Sequence, residues 1–315
     1  MNRERETHRA QGASEKYDQF VSAVVYVCDD GQAISRFSRE LCDALSELFK
    51  RWEIVFVDDC SSDGTVDAIR DGVQGGGAVS IVSLGIRSGR DEALFDGIHA
   101  SIGDMVFTFE GAVTDLSARD LDLAFTRSLE GYDVVSARAS GNKTALGTRL
   151  FYAAFNRWSL SPARLGSEPF SLMSRRAINR IEQLWRRPVF LRAAASSCGL
   201  AYSTVELPRK RTVQRRSWRF DRWRRGAEAL FCYTEAPFRL SLGVSAAAFA
   251  LALATFVAGM ALGFGEYGWL ALIGAALLLM SALFVASAGI MRYCSLILQN
   301  MQRGTGGSVR DCTRL

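Results

Sequence analysis

The chain has 315 residues and a mass of 34.6 kDa, of which 49% are hydrophobic and 23% charged, which rules out a disordered or fibrous protein. That length leaves room for one large domain with an appendage, or for two domains. Its two histidines, His8 and His99, and its seven cysteines show no metal-ligand spacing, which argues against a zinc site, a disulfide framework and a histidine-centred triad.

In chain order, residues 1–19 are a polar tail without an apolar leader, so the segment that follows is expected to stay in the cytoplasm. Val21–Val27 is a β-branched strand, Ile34–Phe49 has helical spacing through Ile34, Phe37, Leu41, Leu45 and Leu48, and Trp52–Val57 is a second strand. Thr65–Ile69 opens a second helix, Val79–Leu84 is a third strand, Asp91–Ile102 a third helix and Met105–Phe109 a fourth strand. Such alternation predicts an α/β fold with a mostly parallel sheet and helices on both faces.

The last third of the chain is different in kind. Residues 209–238 hold a basic block, with nine Lys and Arg between Arg209 and Arg225 and Asp221 the only acid among them, although the formal charge of the whole chain is only +5. Arg239 and Glu266 then bracket 26 uncharged residues, and Glu266 and Arg292 bracket 25 more. Each run exceeds the ~20 residues that cross a bilayer as a helix, so 239–292 reads as a transmembrane hairpin with spans at about 240–263 and 268–291. Arginines flank the hairpin on its outer sides and none lies in its connection, which puts both termini in the cytoplasm of a multi-pass inner-membrane protein. Because the basic block adjoins a span, its expected partner is lipid and no nucleic acid is expected. Residues 293–315 form a cytoplasmic tail, expected to be mobile from Arg303 onward.

Ligands of a parallel α/β sheet bind beyond the carboxyl ends of its strands, so the loops after Val27, Val57, Leu84 and Phe109 are where chemistry is sought. The first reads Cys28-Asp29-Asp30 and the second Asp58-Asp59-Cys60-Ser61-Ser62-Asp63-Gly64-Thr65. Acids there suit base N–H groups and ribose hydroxyls. No GxGxxG joins the first strand to the first helix, which argues against a dinucleotide site.

These residues resemble the inverting family 2 glycosyltransferases of GT-A fold and, more narrowly, the polyprenyl-phosphate glycosyltransferases, the group of dolichol-phosphate mannose synthase and the undecaprenyl-phosphate glucosyltransferases. The family's V-V-P-V-Y-N-E stands at Val24–Asp30 and its F-V-D-D-G-S-x-D-G-T at Phe56–Thr65. Its S-R-N-x-G-K-E-x-A stands at Gly85–Ala93, its G-Y-D-V-V at Gly131–Val135 and its R-L-F-Y-x-x-x-N-R at Arg149–Arg157. The resemblance covers about residues 20 to 300, hairpin included.

It implies a GT-A, Rossmann-like domain over 20–208, followed by an interfacial amphipathic segment over 209–238 and the hairpin. Its reaction would be transfer of a hexose from a nucleotide diphosphate sugar, with UDP favoured, to polyprenyl phosphate for cell-envelope glycans. By the same resemblance Asp30, Asp58 and Asp59 bind the nucleotide, and Arg87 and Arg90 meet the donor phosphates. Arg215, Arg216, Ser217 and Trp218 stand at the family's acceptor-phosphate segment. Relatives form homo-oligomers, and the resemblance extends that state to this chain.

Two stretches depart from the pattern. Where the family carries D-x-D followed by a third acid, the chain reads Glu110-Gly111-Ala112-Val113-Thr114-Asp115, which leaves Glu110 and Asp115 to hold Mg²⁺ or Mn²⁺ in a weakened or altered site. Where relatives carry G-D-F-R, the chain reads Glu168-Pro169-Phe170-Ser171, so Glu168 is the carboxylate available to replace the base. A phosphate acceptor is already ionised near neutral pH and needs a base less than an alcohol does. With both motifs altered, a catalytically degenerate homologue serving as a binding or structural subunit of a glycan-assembly complex stays open as the alternative.

Overall fold

The computed structural model describes residues 16–73, 77–139, 166, 168–185, 188, 190–207 and 309–314, with 153, 156, 157 and scattered positions between 243 and 297. The chain divides into two units, one of residues 1–152, 161–219 and 305–315 and the other of 153–160 and 220–304. In the first, the elements run β1 (Tyr17–Val27), α1 (Gly31–Leu48), β2 (Phe49–Asp58), α2 (Thr65–Gly72), β3 (Ala78–Leu84), α3 (Arg90–Ala100), β4 (Met105–Phe109) and α4 (Ala118–Leu129). They continue with β5 (Val134–Ala139), β6 (Phe170–Ser174), α5 (Arg175–Leu184), α6 (Leu191–Ser197), β7 (Tyr202–Leu207) and β8 (Val309–Arg314).

The strands form one sheet in the order β7-β5-β6-β4-β1-β2-β3-β8. β3, β2, β1 and β4 are mutually parallel, β6 runs antiparallel between β4 and β5, and β7 is parallel to β5. The expected α/β, mostly parallel architecture is therefore present, as a mixed sheet. β1 carries apolar residues toward both faces, as a strand covered on both sides must. Val21, Ala23, Val25 and Val27 pack with Ile34, Phe37 and Leu41 of α1 and with Leu121 and Phe125 of α4 in one core. The opposite face is covered closely by α3: a methyl group on Gly97 would lie 2.4 Å from Val57 and 2.5 Å from Val24, so only glycine fits there.

Boundaries differ from the sequence reading for identifiable reasons. Phe49 opens β2 instead of closing α1, because its extended backbone places the ring among Tyr17, Phe107 and Phe125. α3 stops at Ala100, two residues before the predicted Ile102. There the Ile102 N–H donates to buried Glu53 at 2.7 Å, while Arg175 binds the Ser101 and Gly103 carbonyls at 3.0 and 2.6 Å. The expectation that the tail is mobile from Arg303 onward is corrected for its last part: residues 309–314 are β8, antiparallel to β3. An uncovered β3 would present a row of unpaired backbone groups, and the tail satisfies them.

In the second unit the described residues between 243 and 297 are helical, and Met280, Leu283, Val285 and Ile290 are exposed apolar side chains among them. Among the described residues no helix is long and apolar enough to cross a membrane. The expected spans at 240–263 and 268–291 lie largely outside the described residues, and the basic segment 209–238, with Arg215, Arg216, Ser217 and Trp218, lies wholly outside them.

Candidate active site

In the parallel half of the sheet, chain order reverses between β1 and β4, since β2 and β3 lie on one side of β1 and β4 on the other. A crevice opens at such a switch point beyond the carboxyl ends of the strands. The loops that rim it contain the three non-glycine residues with positive φ among the described residues: Asp29 (53°), Cys60 (55°) and Asp115 (53°). Left-handed backbone costs an L-residue free energy, so the surrounding contacts must hold it.

The first two loops are laced together. The Asp29 N–H donates to Ser61 Oγ at 3.0 Å, the Ser62 N–H donates to Asp29 Oδ1 at 2.8 Å, and the Asp30 N–H donates to Thr65 Oγ1 at 3.0 Å. Asp29 is held ionised below the usual carboxylate range, first by the Ser62 N–H and then, against burial, by Arg87. Asp30 behaves oppositely: burial, with Asp63 and Asp29 nearby, pushes its carboxyl up to about 6. A partly desolvated carboxyl in a strand-end loop is a candidate acceptor for ligand N–H or hydroxyl groups.

The paired acids at the end of β2 are structural in this arrangement. Asp58 Oδ1 accepts the Ser61 N–H at 3.0 Å and so caps its own turn. Asp59 is fully buried and reaches sideways to the third loop, accepting the Ser88 and Gly89 N–H groups at 2.7 and 3.0 Å and the Tyr26 hydroxyl at 3.1 Å. Gly89 has φ of 91° and opens α3, so Asp59 fixes the turn that presents Arg87 and Arg90.

The two arginines then part company. Arg87 is half-exposed and its Nη2 donates to Asp29 Oδ2 at 2.8 Å and to Cys28 Sγ at 2.9 Å. Arg90 turns inward, donating from Nη1 to Glu110 Oε2 at 2.7 Å and from Nη2 to Asp91 Oδ2 at 2.9 Å. Glu110, 5% exposed, takes a second guanidinium at its other oxygen, Arg192 Nε at 2.7 Å. Arg192 also donates from Nη2 to the Glu168 carbonyl at 2.5 Å and from Nη1 to the Gly166 carbonyl at 3.3 Å. Its Nε lies 3.9 Å from the Glu168 carboxylate, whose burial raises its affinity for a proton despite that neighbour.

Of the residues selected from sequence, the structure brings Arg90, Glu110 and Glu168 into one buried cluster and Asp30, Asp58, Asp59 and Arg87 into the adjoining loops. Asp115 does not join them: its side chain is exposed and pairs with Arg36 of α1 at 2.7 Å. Glu110 and Asp115 thus present no shared coordination sphere, and Ala112 between them is buried in the apolar core. Among the described residues no group of three or more His, Cys, Asp or Glu is arranged to hold a metal ion. A hard divalent cation needs several free oxygen ligands. Glu110 is engaged by arginines, Asp115 by Arg36, and Asp58 and Asp59 by backbone N–H groups, so the acids at the metal positions do not fit that cation.

Sequence reasoning missed Arg192, Asp91 and Tyr26. Arg192 had one signal, a lone charge in the run Leu191-Arg192-Ala193-Ala194-Ala195, because a buried arginine requires a carboxylate partner.

Residues 22–111, which contain all four strand-end loops up to Gly111, match the model of the glycosyl transferase family 2. Over that stretch the chain is similar to this family. Its relatives include a bactoprenol glucosyl transferase of Shigella phage SfX, 26% identical over 233 residues that cover 70% of this chain and 74% of that one. An undecaprenyl-phosphate 4-deoxy-4-formamido-L-arabinose transferase of Edwardsiella ictaluri is 30% identical over 118 residues, 37% of this chain and 36% of that one. Among solved structures, glucosyl-3-phosphoglycerate synthase of Mycobacterium tuberculosis, with Mn²⁺, UDP and glucosyl-3-phosphoglycerate, is similar at a TM-score of 0.49 and 19% identity, over 68% of this chain and 78% of that one.

Proposed function

We propose that this glycosyltransferase is anchored in the inner membrane, faces the cytoplasm, and transfers a hexose from a nucleotide diphosphate sugar, UDP-linked by preference, to polyprenyl phosphate. The observation that carries the reading is that Asp30 and Arg87 both stand in the strand-end loops of the stretch that matches family 2, with Arg87 bonded to Asp29. One is a desolvated carboxyl suited to a base or ribose donor, the other a half-exposed guanidinium suited to phosphate. The polyprenyl acceptor is supported by the names of two relatives, which act on bactoprenol and undecaprenyl phosphate. Membrane anchoring is supported by the two uncharged runs and by exposed apolar side chains on the helical residues of the second.

In the reaction, an acceptor phosphate oxygen attacks the anomeric carbon, the new carbon–oxygen bond forms as the bond to the nucleotide diphosphate breaks, and configuration inverts. The acceptor arrives ionised, so no proton need be removed from it. Arg87 would meet the charge that grows on the leaving diphosphate, exchanging its carboxylate partner Asp29 for phosphate oxygens. Asp59 acts through the third loop, as a positioning residue. Glu168 holds Arg192 by its carbonyl at 2.5 Å, and its carboxyl is a place to hold a proton.

Transfer of label from a panel of UDP- and GDP-sugars into solvent-extractable lipid, with purified full chain and undecaprenyl phosphate, tests the reading. Labelled lipid with one donor is expected. Nucleotide binding without labelled lipid from any donor would favour the non-catalytic subunit.

A further inference from the structure

We propose that the domain binds its nucleotide diphosphate without a divalent metal, the Arg90–Glu110–Arg192 chain filling the position after β4 where carboxylates would hold a cation, and Arg87 meeting the diphosphate instead. The inference rests on the donor reading above. Its first ground is the state of Glu110: one oxygen accepts the Arg90 N–H at 2.7 Å, the other is ion-paired with Arg192 Nε at 2.7 Å, and the side chain is 5% exposed. A cation arriving there would have to displace two buried ion pairs and then sit beside the two positive groups it displaced.

The second ground is that, among the described residues, the other acids of the second and fourth loops are engaged elsewhere. Asp115 faces solvent with Arg36, Asp58 caps its turn, and Asp59 is buried on two backbone N–H groups and a hydroxyl. Ala112 occupies the remaining position in the loop as a core residue.

The third ground is the supply of cations. Arg87, Arg90 and Arg192 are joined by Arg138, whose Nε would lie 3.3 Å from a methyl group on Gly166 and which acts electrostatically on Glu168. Their carboxylate partners are Asp29, Asp91 and Glu110, with Glu168 biased by burial toward its neutral form. A supply of guanidinium groups is therefore present there before any ligand binds. A diphosphate can use it through Arg87, the most exposed of these guanidiniums whose ion pairs are described.

The test is calorimetric titration of the purified full chain with UDP and with GDP, in EDTA and again in excess Mn²⁺. Mn²⁺ binding to the nucleotide-free protein is followed in parallel by electron paramagnetic resonance. One nucleotide is expected to bind with affinities that agree within about threefold in the two conditions, with no Mn²⁺ site of matching stoichiometry. Arg87→Gln is expected to weaken that nucleotide at least tenfold in EDTA. Binding that appears only with Mn²⁺ would overturn the inference and leave the donor reading standing. Absence of binding by either nucleotide in both conditions would overturn the donor reading, and the inference with it.

Discussion

Replacing Glu110 by glutamine keeps the shape of the side chain and removes the charge that two buried guanidiniums share. Glu110 is 5% exposed, and the side chains of Arg90 and Arg192 are 17% and 8% exposed, so water cannot take over. Breaking a buried ion pair at one partner typically costs about 3–5 kcal/mol. Arg90 keeps Asp91 at 2.9 Å, and Glu168, 3.9 Å from Arg192, is freed from the like charge of Glu110 and can ionise to pair with it, so the lower part of that range, about 3 kcal/mol, is expected. For a domain of this size 1 kcal/mol moves the midpoint by about 2–4 °C, so thermal unfolding of the full chain in detergent, followed by far-ultraviolet circular dichroism, should shift down by roughly 6–12 °C. The double variant with Arg192→Gln should lose less than the sum of the two single changes, because the second change removes a charge whose Glu110 partner the first has already neutralised. Asp115→Asn, which touches an exposed pair, should leave the midpoint in place. A Glu110→Gln midpoint within 2 °C of the parent would refute the buried bridge as the link between the third and fourth loops and α6.

The other consequences concern the loops and the sheet edge. Asp59→Asn loses one of its acceptor oxygens for the Ser88 and Gly89 N–H groups, so nucleotide affinity measured by titration should fall about tenfold or more while the circular dichroism spectrum is kept. For Asp30 the folded value near 6 lies above the unfolded carboxylate value of about 3.9, so the unfolded chain loses its proton first. Stability therefore falls as pH rises through that window, and the penalty is complete above it. Asp30→Asn should accordingly stabilise the chain at pH 7.5, by of order 1 kcal/mol since the carboxyl is partly solvated, and change nothing at pH 3.5, as denaturant titrations at the two pH values will show. Truncation after Ser308 removes β8, and hydrogen exchange at the backbone N–H groups of Ile81–Leu84 should accelerate in the truncated chain.

Much of the parallel half was legible because β-branched runs and helical spacing alternate over Val21 to Phe109 without a competing signal. The antiparallel insertion of β6 between β4 and β5 was not, since pairing order depends on contacts remote in sequence. β8 escaped for a related reason: Val309-Arg310-Asp311-Cys312-Thr313-Arg314 is a polar segment whose strand conformation comes from the open edge of β3. At the site, the loops follow the strands where the alternation of the sequence places them. What sequence did not disclose is direction: Asp58 and Asp59 turn to backbone N–H groups, and Glu110 turns to Arg90 and Arg192. Motif spacing identifies carboxylates, but which partner each one faces is decided in three dimensions, above all by an arginine on α6.

The most direct measurement is the phosphorus and proton magnetic resonance spectrum of the lipid formed when purified full chain is given undecaprenyl phosphate and the donor it accepts. A polyprenyl hexosyl phosphodiester whose anomeric configuration is opposite to that of the donor is the predicted product. Undecaprenyl phosphate recovered unchanged from folded, nucleotide-binding protein, or a product with the donor's configuration retained, would contradict inverting transfer to a lipid phosphate.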